Sequence, residues 1–265
     1  MNPFNLALDL AQQAGDYLSD AFSRNHLGTF LRTRLKPDHS LVTDADVAAD
    51  KLITSGIREH FPDEPILSEE LSPDLLDEQR NGKVIWVIDP LDGTTNFSLG
   101  LPVWGVLIAR LVNGWPEMAV LNFPRLGELY TAQRGKGATL NGERIQTRLP
   151  DSTRPLAFFT CCSRTHRRYK VHIPYKTRIL GAAAYSFCSV ATGIALVGFE
   201  AAPKIWDIAA GWLLVKEAGG VVEPFEGPSP FPVQTGIAYA GQEYPTLMAA
   251  NEEVAKKARE QIERR

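Results

Sequence analysis

The sequence predicts a mixed α/β (α+β) fold. Apolar residues recur at helical spacing over roughly residues 3–24, and the continuous apolar run from Val84 to Ile88 is typical of a buried strand. After about residue 150, strand and helix patterns alternate. With 265 residues, of which 44% are hydrophobic, the chain can bury a large core. We expect one compact unit made of two halves, residues 1–145 and 146–265.

The first half is expected to hold two helices followed by a sheet. The helix over residues 3–24 ends near Asn25. A second helix is predicted from about Ala45 to His60, because Thr43 and Asp44 are good caps and a proline follows at position 62. The buried strand from Val84 ends on Asp89. Antiparallel strands separated by turn residues follow at Trp104 to Leu111, Glu117 to Phe123 and Leu129 to Gln133.

The second half is predicted to alternate strand and helix. A strand is expected over Leu156 to Thr160, and a helix of small residues near Ala182 to Val197. A third helix, Trp206 to Ala218, is closed by Gly219-Gly220. The tail from Asn251 has the charge pattern of a surface helix.

Charge and composition exclude several classes of partner. The net charge of −3 offers no general electrostatic attraction for nucleic acid or an anionic membrane. No apolar run is long enough for a membrane span, and no signal-peptide pattern is present. Three cysteines imply no disulfide framework. We therefore expect a cytoplasmic protein.

The charge is unevenly distributed, however. Residues 36–95 contain 14 acidic and 5 basic side chains, a net charge of −9, whereas residues 125–180 have a net charge of +9. Acidic residues are therefore concentrated in residues 36–95.

That acidic stretch ends on the most informative segment, Asp89-Pro90-Leu91-Asp92-Gly93-Thr94-Thr95-Asn96-Phe97. A buried strand delivers Asp89 to its carboxyl end, where ligand sites of α/β proteins often lie. A tight turn there can place Asp89, the Leu91 carbonyl and Asp92 around one hard cation. The following residues can begin a helical turn whose N–H groups face an anion. An ordinary Asp-Gly turn is the alternative.

Other acidic residues also border apolar segments. Glu69-Glu70 ends a short apolar run, where two adjacent carboxylates are either solvated or neutralised by a cation. Asp207 opens an otherwise apolar helix, either as an N-terminal cap or as a ligand.

With these motifs the chain resembles the inositol monophosphatase family of lithium-sensitive, Mg²⁺-dependent phosphatases. The resemblance runs from about Ala7 to Asn251. It is carried by the segment from Asp89 to Phe97, by Trp206-Asp207-Ile208-Ala209-Ala210-Gly211 and by Glu217-Ala218-Gly219-Gly220. Glu69 lies twenty residues before Asp89, as the family's acidic pair does, and Leu41-Val42-Thr43-Asp44-Ala45-Asp46 and Lys36 also match.

The resemblance implies a layered α/β/α/β/α sandwich, two or three Mg²⁺ ions and their ligands. Glu69, Asp89 and the Leu91 carbonyl would bind the first ion. Asp89, Asp92 and Asp207 would bind the second, and Glu69 with waters would help bind a third. The N-terminal half would thus carry most of the ligands, and the second half would complete the site.

The resemblance also implies the roles of the remaining site residues. Thr94 and Asp46 would orient and help deprotonate the attacking water, with Glu70 close by. Gly93 and Thr94 would bind the phosphate through backbone N–H groups. Asp92, Ala183 and Glu200 would line the pocket for the alcohol, and Lys36 would belong to a loop over the metals.

The implied activity is hydrolysis of a small sugar or polyol phosphate, with inositol monophosphate as the first candidate substrate. The resemblance also implies a homodimer and inhibition by lithium. Ala182 stands where many relatives carry a hydroxyl and Leu196 where several carry an aspartate, while Glu200 is equally typical of an exposed helix end. The alternatives are a histidinol-phosphate, fructose 1,6-bisphosphate or 3′-phosphoadenosine nucleotide phosphatase, and a catalytically silent regulator that binds metal or phosphate.

Two other features of the sequence match phosphatase motifs only in part. Cys162 and Arg168 have the Cys-x5-Arg spacing of cysteine phosphatases, but the residues between them lack the glycines that wrap a phosphate. The nucleophile motif of haloacid-dehalogenase phosphatases has its acids two residues apart, whereas Asp89 and Asp92 are three apart. The basic run from Arg164 to Lys170 is a solvated face, a subunit contact or a site for a second substrate phosphate.

Overall fold

The structure, a computed structural model, describes residues 1–26, 33–35, 41–72, 74–75, 83–153 and 155–265. Within these residues the helices are α1 (Pro3–His26), α2 (Asp44–His60), α3 (Thr94–Leu99), α4 (Thr165–Arg168), α5 (Ala183–Ala191), α6 (Ile205–Glu217) and α7 (Glu252–Glu260). None of them is both long and apolar enough to cross a membrane.

Two larger sheets organise the described residues. The first has the order β3-β4-β5-β6-β7-β8-β9, and its strands are β3 (Ile66–Ser68), β4 (Val84–Asp92), β5 (Gly105–Val112), β6 (Trp115–Phe123), β7 (Glu128–Gln133), β8 (Gly137–Leu140) and β9 (Glu143–Ile145). The second has the order β12-β10-β13-β15-β14, and its strands are β10 (Phe158–Cys161), β12 (Lys176–Arg178), β13 (Ala195–Glu200), β14 (Val221–Pro224) and β15 (Thr246–Ala249). Short pairs are formed by β1 (Thr33–Leu35) with β2 (Leu41–Thr43), and by β11 (Tyr169–Val171) with β16 (Ile262–Arg264).

Alternation of side chains along the strands builds the layers. Trp86 and Ile88 of β4 pack with α1 and α2, whereas Ile85 and Val87 face the opposite side and pack with α5 and α6. The α5–α6 layer also contacts Met248 of the second sheet. The far face of that sheet packs against α7. The resulting α/β/α/β/α order confirms the predicted fold class.

Most predicted elements are confirmed to within a few residues, including the cap of α2. The hydroxyl of Thr43 accepts from the backbone of Ala45 and Asp46, and the Asp46 carboxylate accepts from the backbone of Thr43. This reciprocal capping box puts the Asp46 side chain at the very start of the helix.

The helix predicted from Ala182 to Val197 is too long. Helix α5 stops at Ala191, because Gly193 adopts the left-handed conformation at φ 70°. Its N–H bonds to Val190 O, and Ile194 N–H bonds to Ser189 O, which is the Schellman pattern of helix termination. The chain then continues as β13, and this strand carries Glu200 to the site.

The strand predicted to end on Asp89 is too short. Strand β4 continues to Asp92, and its antiparallel register with β5 shifts between Asp89 and Asp92. Pro90 has no N–H for the ladder, so pairing is interrupted there and resumes at Asp92 opposite Gly105. The irregularity leaves both carboxylates at one strand end.

Candidate active site

A cavity of ≈ 870 Å³ lies where the two sheets and the α5–α6 layer meet. Among the described residues, every predicted site residue except Asp46 lines this cavity. Asp46 lies directly behind Thr94. The wall therefore includes Glu69, Glu70, Asp89, Leu91, Asp92, Gly93, Thr94, Ala183, Glu200 and Asp207. Lys36, predicted to belong to a loop over the metals, lies outside the described residues.

Three carboxylates form the centre of this cavity. Glu69 follows β3, Asp89 lies in β4 and Asp207 lies in the first turn of α6. One oxygen from each is within 4.8 Å of the others. Oxygen-only donors at this spacing suit a hard divalent cation such as Mg²⁺.

Burial makes this cluster costly without a cation. Burial, and then the neighbouring carboxylates, raise the pKa of Asp89 well above its usual value. Burial, and then the charges of Glu69 and Asp92, raise the pKa of Asp207 to about 8. Asp207 also accepts from Lys204 N at 2.7 Å, so it caps the helix as well as facing the cluster. Divalent ions would remove this repulsion, and the residues present fit them.

The pH dependence of stability follows from these shifts. The pKa values of Asp207 and Asp92 are raised in the folded protein. Without metal, the folded state therefore binds more protons than the unfolded state between about pH 4 and pH 8. The free energy of unfolding should fall as the pH rises from 5 to 8. We expect the Tm in EDTA to fall over this range. Mg²⁺ at about 100 times its Kd should raise the Tm by roughly 5–10 °C, and more at pH 8 than at pH 5.

Thermal unfolding by circular dichroism measures both effects. Asp207→Asn removes one of the repelling groups and should flatten the pH dependence in EDTA. A Tm that rises with pH in EDTA would contradict this account of the cluster.

Asp92 is held differently from the three clustered acids. Its two carboxylate oxygens accept from the backbone N–H groups of Ala183 and Ala184, each at 2.9 Å. Burial raises its pKa to about 7. Asp92 therefore joins the acidic cluster to the start of α5, and Ala183 is placed at the same point.

Asp46 and Thr94 form a pair at the cavity edge. The Thr94 hydroxyl lies 3.0 Å from Asp46 Oδ1 and 3.1 Å from Leu91 O, and Asp46 Oδ2 accepts from Thr43 N at 2.8 Å. Asp46 is 1% exposed, and burial raises its pKa to about 6. A carboxylate with this pKa can accept a proton near neutrality through the Thr94 hydroxyl.

Gly93 is required by the close approach of its neighbours. It adopts φ 90°, and a Cβ there would lie 3.0 Å from Val103 O and 3.2 Å from Ala182 Cβ. Helix α3 begins at the next residue, Thr94. Contact of these two backbone N–H groups with phosphate stays a prediction.

Glu200 is not at an exposed helix end. It is the last residue of β13, is 2% exposed and lines the cavity. The Ser186 hydroxyl donates to its Oε1 at 2.7 Å, and burial raises its pKa to about 8. Leu196 lies near the start of the same strand and is buried in the core.

Sequence reasoning missed two positioning residues. Asp50, fully buried, accepts through Oδ2 from the Ser68 hydroxyl and from the backbone N–H groups of Glu70 at 3.2 Å and Leu71 at 3.1 Å, which shapes the chain around the acidic pair. The sequence did indicate Asp50, because this acid lies four residues after Asp46 on the apolar face of α2. Ser186 carried no comparable signal, because its partner Glu200 is on another element.

Two sequence features prove to be structural. The Glu217 carboxylate accepts from the backbone of Gly135 at 2.9 Å and Gly137 at 2.8 Å, so this motif acid ties α6 to the first sheet. Burial raises the pKa of Cys161 to about 12 and also raises that of Cys162, so neither thiol is an activated nucleophile.

Comparisons with known proteins identify the family of this chain. Nus factor SuhB of Pasteurella multocida is 38% identical over 241 residues, which cover 86% of this chain and 87% of that protein. A histidinol-phosphatase of Chlorobaculum parvum is 37% identical over 235 residues, covering 84% and 85%. The solved structure of an IMPase from Thermotoga maritima covers 98% of both chains with a TM-score of 0.78 and 28% identity. The family model for inositol monophosphatases matches residues 3–263, and the chain belongs to the inositol monophosphatase family.

Proposed function

We propose that the protein is a Mg²⁺-dependent phosphomonoesterase that hydrolyses a small sugar or polyol phosphate, with inositol monophosphate as the first candidate. The supporting observation is the carboxylate cluster of Glu69, Asp89 and Asp207 in one cavity with the Thr94–Asp46 pair. A phosphate monoester is an anion that repels hydroxide, so its hydrolysis needs both charge neutralisation and an activated water.

The Mg²⁺ ligands proposed, for two or three ions, are Glu69, Asp89, the Leu91 carbonyl, Asp92 and Asp207. Bound there, the ions supply positive charge for the phosphate and the leaving alkoxide and lower the pKa of water. Thr94 orients the attacking water, accepts its proton and passes its own hydroxyl proton to Asp46 Oδ1. The raised pKa of Asp46, about 6, suits this transfer near neutrality.

The alcohol part of the substrate is proposed to bind beside Ala183 and Glu200, which line the same cavity. Asp92 lies next to them, since it accepts from the N–H group of Ala183. Ser186 holds the Glu200 carboxyl in place, so Glu200 can bond a hydroxyl group of the substrate. Glu70, beside the acidic cluster, is proposed to help orient the attacking water.

A second candidate is a regulatory role, because several relatives are named Nus factor SuhB. The Thr94–Asp46 pair favours hydrolysis, since binding alone does not require a buried proton acceptor behind a hydroxyl. A histidinol-phosphatase activity is the third candidate, from the name of one relative.

A phosphate-release panel tests these candidates. Inositol 1-phosphate, histidinol phosphate, fructose 1,6-bisphosphate and 3′-phosphoadenosine 5′-phosphate are compared with and without Mg²⁺ and Li⁺. We expect Mg²⁺-dependent release that lithium inhibits, fastest with the polyol phosphates. Absence of Mg²⁺-dependent release from all four would contradict an enzymatic function. The homodimer and the cytoplasmic location stay predictions.

A further inference from the structure

The Glu200 carboxylate is held by side chains from two different parts of the fold. Glu200 is the last residue of β13 and lines the cavity. The Ser186 hydroxyl, from α5, donates to its Oε1 at 2.7 Å. The Cys162 thiol, from the segment between β10 and α4, also donates to this carboxylate. Ser186 and Cys162 are together called the Glu200 clamp.

The Ser186 side of the clamp is a chain of two buried hydroxyl groups. Ser186 Oγ lies 3.0 Å from Thr160 Oγ1 of β10. A serine hydroxyl has one proton, and Ser186 donates it to Glu200, so the Thr160 hydroxyl must donate to Ser186. Both donors are therefore directed toward the carboxylate. Hydrogen bonds aligned in this way polarise and strengthen one another in a buried site.

The Cys162 side of the clamp holds the thiol in place as a donor. Its sulfur accepts from the backbone N–H of Ala201, the residue after Glu200, at 3.4 Å, and lies 3.4 Å from the Thr165 hydroxyl. Burial raises the pKa of Cys162, so the thiol keeps its proton near neutrality. Cys162 is half-buried and lines the cavity together with Glu200. A protonated thiol in this position can support the Glu200 carboxylate directly.

Glu200 needs such donors because its surroundings disfavour a negative charge. Burial raises its pKa to about 8, and the charges of Asp92 and Asp207 add to the rise, whereas the bonds from the clamp oppose it. Divalent ions at the acidic cluster would cancel the charges of Asp92 and Asp207 and favour the carboxylate further. A carboxylate has about four lone-pair positions, of which the clamp occupies two. The others can accept from a hydroxyl group of a ligand in the cavity.

We propose that Cys162, acting with Ser186 through Glu200, makes the site selective for phosphate esters that carry a free hydroxyl group on the alcohol part. Cys162 is a positioning residue, because it acts through Glu200 and not on the phosphate. The inference rests on the proposed function and deepens it, since it favours polyol phosphates such as inositol monophosphate over phosphates of apolar alcohols. An alcohol without such a hydroxyl displaces water from Glu200 and leaves the buried carboxylate short of a donor, which weakens binding.

Matched substrates measure the hydroxyl preference of the wild-type protein with Mg²⁺. Inositol 1-phosphate is compared with cyclohexyl phosphate, and glycerol 2-phosphate with isopropyl phosphate. Within each pair the carbon skeleton and the phosphate are the same, and only one member carries free hydroxyl groups. We expect kcat/KM to be at least about tenfold higher for the hydroxylated member. The intrinsic reactivity of the two esters also enters this ratio, but it is the same for every variant.

Variants of Cys162 separate positioning from packing. Cys162→Ala removes the donor and should lower the ratio about fivefold, mostly through a higher KM for the hydroxylated member. Cys162→Ser keeps a donor of similar size and should recover most of the ratio. Cys161→Ala removes the neighbouring thiol, which belongs to the core shared with α7 and lies 3.8 Å from His166 Nε2, and should leave the ratio unchanged. Turnover of isopropyl phosphate shows that each variant is folded.

A double-mutant cycle tests whether Cys162 acts through Glu200. Glu200→Gln should itself lower the ratio about tenfold. Cys162→Ala should then have little further effect in the Glu200→Gln protein, because residues that act through one group are not additive. Ser186→Ala should behave in the same way.

Failure of this inference and failure of the proposed function give different results. An unchanged ratio in Cys162→Ala, or the same loss from Cys162→Ala with and without Glu200→Gln, overturns the inference and leaves the phosphatase function standing. Cys162→Ser that loses as much as Cys162→Ala, or wild-type protein with no hydroxyl preference in either pair, also overturns it. No phosphate release from any of the four compounds counts against the proposed function itself.

Discussion

Asp89→Asn is expected to lower kcat by about a thousandfold or more, because loss of this ligand charge removes several kcal/mol of transition-state stabilisation. Asp89 is central to the cluster, since it is 1% exposed and its oxygens face Glu69 and Asp207. Asp207→Asn should have a comparable effect. Phosphate release from inositol 1-phosphate at saturating Mg²⁺ measures both.

The same substitutions should leave the protein folded. Removing one of several mutually repelling carboxylates relieves the strain that burial imposes on the metal-free cluster, so the Tm of Asp89→Asn in EDTA should equal or exceed that of the wild type. The Tm increase caused by Mg²⁺ should shrink. Asp63→Asn, a substitution of the same chemistry at an exposed position, should change neither quantity. Near-normal kcat in Asp89→Asn or Asp207→Asn would show the metal assignment to be wrong.

Thr94→Val has the second largest expected effect, a decrease in kcat of about 100-fold or more. Valine preserves the shape of threonine but cannot relay a proton between water and Asp46, whose Oδ1 lies 3.0 Å from the Thr94 hydroxyl. KM should change little, because the acidic cluster is untouched. Asp46→Asn should lower kcat similarly.

The pH profile distinguishes a proton relay from a structural role. Wild-type kcat should rise with pH through about 6, because Asp46 must be ionised to accept the proton. This limb should disappear in Asp46→Asn. Thr94→Ser retains the hydroxyl and should recover most of the activity. If Thr94→Val kept kcat within twofold of wild type, the Thr94–Asp46 pair would have no part in water activation.

Local signals in the sequence predicted the secondary-structure elements, and the resemblance to the family predicted most of the candidate site residues. Thr43 before an amphipathic run predicted the start of α2, and the structure shows its capping box. The continuous apolar run from Val84 predicted a buried strand, and β4 confirms it. The spacing of Asp89, Asp92 and Gly93 predicted a strand-end site for a cation, and all three residues line the cavity.

Contacts between distant segments could not be predicted in this way. Asp50 holds the Glu69-Glu70 segment across twenty residues, and Ser186 holds Glu200 from a neighbouring element. The pairing of Arg164 and Arg168 with Glu243 spans more than seventy residues. In each case the partner is set by packing rather than by neighbouring sequence.

By itself, then, the sequence determined the α/β fold class, the family and the acidic residues available for a metal site, because these depend on short-range periodicity and on motifs contiguous in the chain. The tertiary structure decided which acids meet. It brings oxygens of Glu69, Asp89 and Asp207 within 4.8 Å of one another. Both carboxylate oxygens of Asp92 accept from the start of α5, whereas Glu217 bonds to the first sheet instead. The physical reason is that the geometry of such a site is set by how strands and helices pack, and a carboxylate's role depends on which charges and N–H groups surround it once water is excluded.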